Sequence, residues 1–442
     1  MTLIKSLLLG SAATLFVVAG AQAADLPTKK GAPVAEYVKV CHINGMAGFV
    51  IPGSDTCLKI GGDINAQFVG GNTKTTYLYP GASATDSKYR ADIGWYTRGD
   101  YNFTAVSNTA YGPLLGFVSL RMNMGSGLDG PGSTVGYQQQ STQDYLAYTY
   151  IQWAGLTAGL HRSFYDFLGG GNTWKDIFSP DDNGDQGVAQ IAYTATFGGG
   201  FAATLAIEES AVKDGFVTAP AAYTELGNQA PDIVLALDLT QSWGLAHLAG
   251  VAHENRVESY GGYYDQDVWG YGVIGGLQFN LPQLGAGDLV QFQAAYADGA
   301  TKYSGVASPG WSGPDQGLNP NGGNGTIFPM ADGIFLGSSF KQAQSWTIDA
   351  QGTFQVTPNF AIDPEVGYGE ISYNSAAALA DGISKSAYGW LIGGVLDYSP
   401  VKNLDFALDI MYLDSHQDKV PCTTTPTDAD GVNFRLHIIR SF

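Results

Sequence analysis

The stretch Tyr89-Arg90-Ala91-Asp92-Ile93-Gly94-Trp95-Tyr96-Thr97-Arg98-Gly99-Asp100-Tyr101-Asn102-Phe103-Thr104 decides how this chain is read. Its odd positions carry the apolar and aromatic side chains, and its even positions carry Arg90, Asp92, Arg98, Asp100 and Asn102. Successive side chains of a strand point to opposite faces, so a two-residue period marks a strand with one apolar and one polar surface. Residues 58–68 repeat it, with Leu58, Ile60, Ile64, Ala66 and Phe68 opposite Lys59, Asp63, Asn65 and Gln67. So do residues 346–356, where Trp346, Ile348, Ala350, Phe354 and Val356 oppose Thr347, Asp349, Gln351, Thr353 and Gln355. The C-terminus closes the series with Val432, Phe434, Leu436, Ile438 and Phe442 against Asn433, Arg435, His437 and Ser441.

Composition narrows the surroundings of these strands. The 442 residues are 45% hydrophobic and 14% charged, with 60 glycines, 25 tyrosines and 21 phenylalanines. That is too aromatic for a disordered chain, and about half the charge of a typical globular domain. A net charge of −19 has the wrong sign for gripping phosphate backbones, which excludes a nucleic-acid partner. No stretch after the N-terminus approaches the ~18–20 apolar residues of a membrane helix. The chain is therefore either soluble or crosses a membrane as a closed barrel.

Followed along the whole chain, the alternation gives sixteen strands: 57–69, 88–106, 111–124, 144–154, 156–164, 188–197, 201–209, 231–242, 244–254, 267–280, 288–298, 341–356, 359–373, 386–399, 403–414 and 431–442. Most reach the ~9–11 residues that a tilted strand needs to span a bilayer. Short turns such as Ala154-Gly155, Gly198-Gly199-Gly200, Trp243, Thr357-Pro358 and Pro400-Val401-Lys402 alternate with long polar loops at 70–87, 125–143, 165–187, 210–230, 255–266, 299–340, 374–385 and 415–430. A soluble sandwich or lectin-like jelly roll also alternates. Tyr89, Tyr101, Trp153, Trp269 and Tyr398 near strand ends instead suit an interfacial girdle, and an even strand count closes without an edge. The expected fold is all-β, a 16-stranded antiparallel transmembrane β-barrel.

Residues 1–23 read as a signal peptide: Lys5, a mostly apolar run from Leu7 to Val18, and Ala21-Gln22-Ala23 as the cleavage site. Residues 24–56 read as an N-terminal periplasmic turn segment, and 57–442 as the barrel. For an exported chain, a local disulfide is the economical reading of Cys41 and Cys57. A metal site would want more ligands than His42 beside them. Cys422 is left over in a Pro/Thr/Asp-rich loop.

The run Lys5-Ser6-Leu7-Leu8-Leu9-Gly10-Ser11-Ala12-Ala13, the stretches Glu36-Tyr37-Val38-Lys39-Val40-Cys41 and Phe49-Val50-Ile51-Pro52-Gly53-Ser54-Asp55-Thr56-Cys57-Leu58-Lys59-Ile60, and the terminal Arg440-Ser441-Phe442 carry a resemblance. In these segments the chain resembles the alphaproteobacterial porin family of trimeric general-diffusion channels. The resemblance implies an outer-membrane location, a homotrimer surrounded by lipid and lipopolysaccharide, passive passage of small hydrophilic solutes and ions, and no cofactor. It also implies that the third long loop, 165–187, folds into the lumen as the constriction. That loop carries Asp166, Asp176, Asp181, Asp182 and Asp185 against Lys175.

Carried through the strands, the alternation assigns Asp63, Asp92, Asp100, Glu208, Asp238, Asp349, Asp363, Glu365, Asp397, Asp405 and Asp409 to the lumen. It assigns Lys59, Arg90, Arg98, Arg121 and Arg435 there as the basic wall. The acidic excess predicts a weak cation preference, moderated by pairing and by screening over about 8–10 Å. A sugar-selective channel using lumen aromatics such as Tyr96 is the alternative, and a surface binding or adhesion barrel a more distant one. Asp181-Asp182-Asn183-Gly184-Asp185 resembles part of a calcium loop but lacks its closing Glu, since Ala192 stands there, so no metal is expected. There is no Gly-x-Ser-x-Gly and no His-Glu-x-x-His, and no catalytic residue is expected.

Overall fold

A computed structural model describes residues 39–71, 93–127, 141–169, 180, 187–210, 223–259, 265–306, 331–381, 384–418 and 428–442. The expected signal peptide, Arg90, Asp92, Lys175, Asp176, Asp181, Asp182, Asp185 and Cys422 lie outside these residues.

The strands are β1 (Val40–Ile43), β2 (Met46–Val50), β3 (Cys57–Gly71), β4 (Ile93–Thr109), β5 (Gly112–Gly127), β6 (Ser141–Trp153), β7 (Leu156–His161), β8 (Val188–Gly198), β9 (Phe201–Glu208), β10 (Tyr223–Glu225), β11 (Asp232–Gln241), β12 (Gly244–Ser259), β13 (Asp265–Asn280), β14 (Leu289–Asp298), β15 (Gly333–Leu336), β16 (Ser339–Gln342), β17 (Gln344–Thr357), β18 (Phe360–Ser372), β19 (Ser386–Val401), β20 (Leu404–Gln417) and β21 (Asp428–Ser441). A short helix α1 (Ser375–Asp381) lies in the loop between β18 and β19. Every pairing among the described strands is antiparallel; β9 pairs with β11 and β14 with β17 past the short intervening strands, and β21 pairs back onto β3 from Ser441↔Asp63 to Asn433↔Gly71. The result is a closed 16-stranded antiparallel barrel. Leaving aside β1, β2, β10, β15 and β16, each barrel strand overlaps one segment expected from the alternation.

The period-two pattern becomes an inside and an outside. On β4, Ile93 and Trp95 are 54% and 61% exposed on the outer wall, whereas Tyr96 and Arg98 are 2% and 1% exposed on the inner face. Ile233, Leu235, Leu248, Ile348, Ile392 and Ile410 continue the outer apolar belt. No helix among the described residues is long and apolar enough to cross a membrane.

Two features depart from the expected layout. The segment before the barrel forms a hairpin, β1 with β2, turned by Asn44 and Gly45 at positive φ. This hairpin joins the start of β3 through Phe49↔Leu58 and Val50↔Cys57, where β21 has already ended. A disulfide between Cys41 and Cys57 ties it there. In β6, Leu146 pairs with Leu120 and Tyr148 with Ser119, which leaves Ala147 as a bulge and shifts the later alternation by one.

Candidate functional site

The inner face of the barrel is chemically two halves. On β8–β14 it carries a patch of small apolar side chains, bordered by inward polar groups such as Glu208, Asp232, His247, His253 and Gln293. Ala192, Ala206, Val234, Ala236, Ala249, Val251, Ile274, Ala295 and Ala297 form one buried cluster there. An apolar wall facing a watery lumen would be unfavourable, and two inward loop segments cover it.

The first is the start of the third long loop, residues 162–169. Glu208 at the end of β9 accepts hydrogen bonds from Ser163 Oγ at 3.0 and 2.8 Å and from the Phe164 backbone N–H at 3.3 Å. Deeper in, Gln293 Oε1 on β14 accepts from the Leu168 N–H at 3.0 Å. His247 Nε2 on β12 lies 3.1 Å from the Tyr165 carbonyl. Arg162 donates to the carbonyls of Phe167 at 3.2 Å and Leu168 at 2.5 Å, which folds the segment on itself. Phe167 stacks on the His247 ring at 5.8 Å. It can do so because position 276 on β13 is glycine: a Cβ there would sit 2.2 Å from the Phe167 ring.

The second segment was not anticipated from the sequence. After β14 the chain turns into the lumen as a 3-10 helix, Thr301–Ser304, with Thr301, Tyr303 and Ser304 buried. The Tyr303 and Tyr165 rings meet edge-on at 4.9 Å, so the two loops pack on each other as well as on the wall. The return limb places Asp332 so that its Oδ1 accepts from the Thr301 N–H at 2.5 Å and from Thr301 Oγ1 at 2.8 Å. The β15–β16 hairpin then packs Phe335 and Phe340 on Val257 and Val268 of β12 and β13. Burial pushes the phenol pKa of both Tyr165 and Tyr303 well above the usual tyrosine value. The charge of Asp166 adds to this at Tyr165, and those of Asp232, Glu208 and Asp166 add at Tyr303.

The other half of the inner face, β17–β21 with β3–β5, is charged. It carries Asp349 on β17, Asp363 and Glu365 on β18, Asp397 on β19, and Asp405 and Asp409 on β20. Arg435 and His437 follow on β21, then Lys59 and Asp63 on β3, Arg98 and Asp100 on β4, and Arg121 on β5. Alternation set these positions and the barrel brings them onto one surface. Several pair across strands. Asp100 accepts from Arg121 at 2.6 Å, and Asp409 accepts from Arg435 at 2.7 and 2.8 Å and lies 3.3 Å from His437 Nε2. Arg98 Nε donates to Tyr96 Oη at 3.0 Å and Asn123 Oδ1 at 3.2 Å. The carboxylates cluster on β17–β20 and the arginines on β21 and β3–β5, so charge is separated around the wall.

The remaining expected residues divide. Glu208 and Asp238 do face inward, but Glu208 anchors the third loop and Asp238 holds His247 Nδ1 at 2.8 Å. Asp166 is buried at the start of that loop. Sequence reasoning missed Tyr165, His253, Gln293, Tyr303 and Asp332. A signal for the covered half was present: Ile233-Val234-Leu235-Ala236-Leu237 on β11 is apolar on both faces, which an inner face open to water would not be.

Comparison with known proteins agrees with this geometry. The family model described as "Porin subfamily" matches residues 25–434. Porin Omp2b of Brucella canis is 30% identical over 381 residues, covering 83% of this chain and 92% of that protein. Porin Omp2b of Brucella melitensis matches with the same identity and coverage. Among solved structures, the outer membrane channel DcaP of Acinetobacter baumannii superimposes with a TM-score of 0.63 at 13% identity, covering 90% of this chain and 100% of that one.

Proposed function

The chain belongs to the porin subfamily and is an outer-membrane porin, a channel rather than an enzyme; from that premise we propose that it is a weakly cation-preferring, general-diffusion pore working as a homotrimer. The observation that carries the ion preference is the charged half of the inner face. There Asp63, Asp100, Asp349, Asp363, Glu365, Asp397, Asp405 and Asp409 outnumber Lys59, Arg98, Arg121 and Arg435. Asp100 and Asp409 are engaged with Arg121 and Arg435, and screening shortens the reach of every charge to about 8–10 Å. A modest preference follows rather than a selective filter. Small hydrophilic solutes and ions are the cargo, with no base-specific or covalent recognition needed.

Trimerisation is supported by the resemblance and by the outer wall of β3–β7. Ala105, Gly116, Thr149, Ala158 and Gly159 floor a groove of about 440 Å³ there, between Leu58, Phe103 and Ile151. Small residues that let a neighbouring backbone approach suit protein packing better than lipid contact. The rest of the apolar belt meets lipid and, in the outer leaflet, lipopolysaccharide.

Purified protein in a planar bilayer under a salt gradient tests these readings together. The expected record is ohmic openings that close in thirds, with a reversal potential displaced toward the cation equilibrium value. A reversal potential at zero or on the anion side would remove the cation preference, and single unpartitioned steps would remove the trimer.

A further inference from the structure

We propose that residues 300–306 and 331–343, the two described limbs of the connection between β14 and β17, form a second constriction element, seated in the lumen by a latch at His253 and setting the size of solute that passes. This rests on the reading of the chain as an open porin and deepens it.

The latch is built from four elements. His253 on β12 is 1% exposed and directed inward; its Nδ1 lies 2.8 Å from Asp232 Oδ1 on β11. Its Nε2 lies 3.8 Å from Asp332 Oδ2 on the return limb of the loop. Tyr303 of the 3-10 helix donates its hydroxyl to the second Asp232 oxygen at 2.5 Å, and its ring lies 6.1 Å from the imidazole. Glu208 stands opposite Asp232 on the neighbouring strand. His253 thus stands between two buried carboxylates, Asp232 on the wall and Asp332 on the loop, and bridges the return limb to the barrel wall.

Further bonds seat the same segment. Thr347 on β17 donates to the Ser304 carbonyl at 2.5 Å, and Asn255 on β12 donates to the Gly299 carbonyl at 2.6 Å. Tyr373 beyond β18 accepts from the Ala331 N–H at 3.2 Å. Position 272 on β13 is glycine beneath the Tyr303 side chain: a Cβ there would lie 2.9 Å from Tyr303 Cβ. Tyr303 at Gly272 and Phe167 at Gly276 mark two layers about 13 Å apart along one strand face. The lumen is thus narrowed at two depths, by the third loop and by this one, both on the β8–β14 side. Bulk that stands in the lumen and is bolted to the wall sets an exclusion limit by occupying cross-section.

The test compares the parent with Thr301→Val/Asp332→Ala, which removes the latch, and with Thr301→Ser, which keeps its hydroxyl. The readouts are single-channel conductance and liposome swelling with sugars of graded size. The double variant is expected to raise conductance by about 1.5-fold or more and to admit sugars that the parent excludes, while Thr301→Ser matches the parent. Unchanged conductance and cut-off in a folded double variant would overturn the proposal. Should that variant fail to fold, Ser304→Cys/Thr347→Cys in a Cys422→Ser background pins the loop by oxidation. The pinned channel should keep the parent's conductance and cut-off, and a clear fall on oxidation would show that the loop does not normally sit in the lumen. A silent parent, by contrast, would count against the porin reading itself.

Discussion

Two adjacent glycines on β13 show how one position decides what the lumen can hold. At Gly276 an added Cβ would meet the Phe167 ring at 2.2 Å, whereas at Gly275, on the opposite face, it would meet nothing within 4 Å. Gly276→Val is expected to push Phe167 off the wall toward the open lumen, at an overpacking cost of about 1–3 kcal/mol, and to lower conductance. Gly275→Val should leave conductance and folded gel mobility as they are. Equal effects from the two substitutions would show that Phe167 does not rest on β13 in the working channel.

At the scale of elements, the strands were legible in the residues, the inward third loop only through the resemblance, and the inward segment after β14 not at all. Strand positions announce themselves because each side of the wall meets a different solvent, and the resulting period survives in segments such as 89–104. The β1–β2 hairpin was missed because four- and five-residue strands are too short to show a period. Loop seating depends on contacts between residues distant in the chain, such as Thr301 with Asp332 and Leu168 with Gln293, which no local pattern encodes. Among the described residues the inward placement of the charged side chains follows the alternation, but their partners do not: Asp100 with Arg121 and Asp409 with Arg435 follow only from strand register.

Seating of the two loops also carries a pH dependence. Both Tyr165 and Tyr303 have folded-state pKa values raised by burial above the usual ~10, so packing favours the neutral phenol. A raised folded pKa contributes stability that is complete below the unfolded value and is lost as pH climbs toward the folded one. Conductance should therefore show no tyrosine-linked change up to about pH 10 and rise above it as the loops loosen. Tyr165→Phe removes a buried hydroxyl that has no hydrogen-bond partner among the described residues, and should blunt that rise. An alkaline rise of full size in this variant would place the titrating group elsewhere.

On the scale of the whole molecule, an apolar belt outside and a divided face inside account for one function. In the function we propose, lipid meets the outer wall and solutes move along the charged half, while the described loop segments 162–169 and 300–306 cover the apolar half. Asp63 and Asp397 on that half are only partly buried, while Val234 and Ala249 on the other are 0% and 2% exposed beneath the loops. The most direct test places single cysteines at these positions, with Cys41, Cys57 and Cys422 replaced by serine, and follows the current through one channel during exposure to a water-soluble cationic thiol reagent. Cysteine at 63 or 397 is expected to react and reduce the current in steps, and cysteine at 234 or 249 to leave it unchanged. Current loss from 234 or 249, with 63 and 397 silent, would put the solute path on the opposite wall and contradict this account.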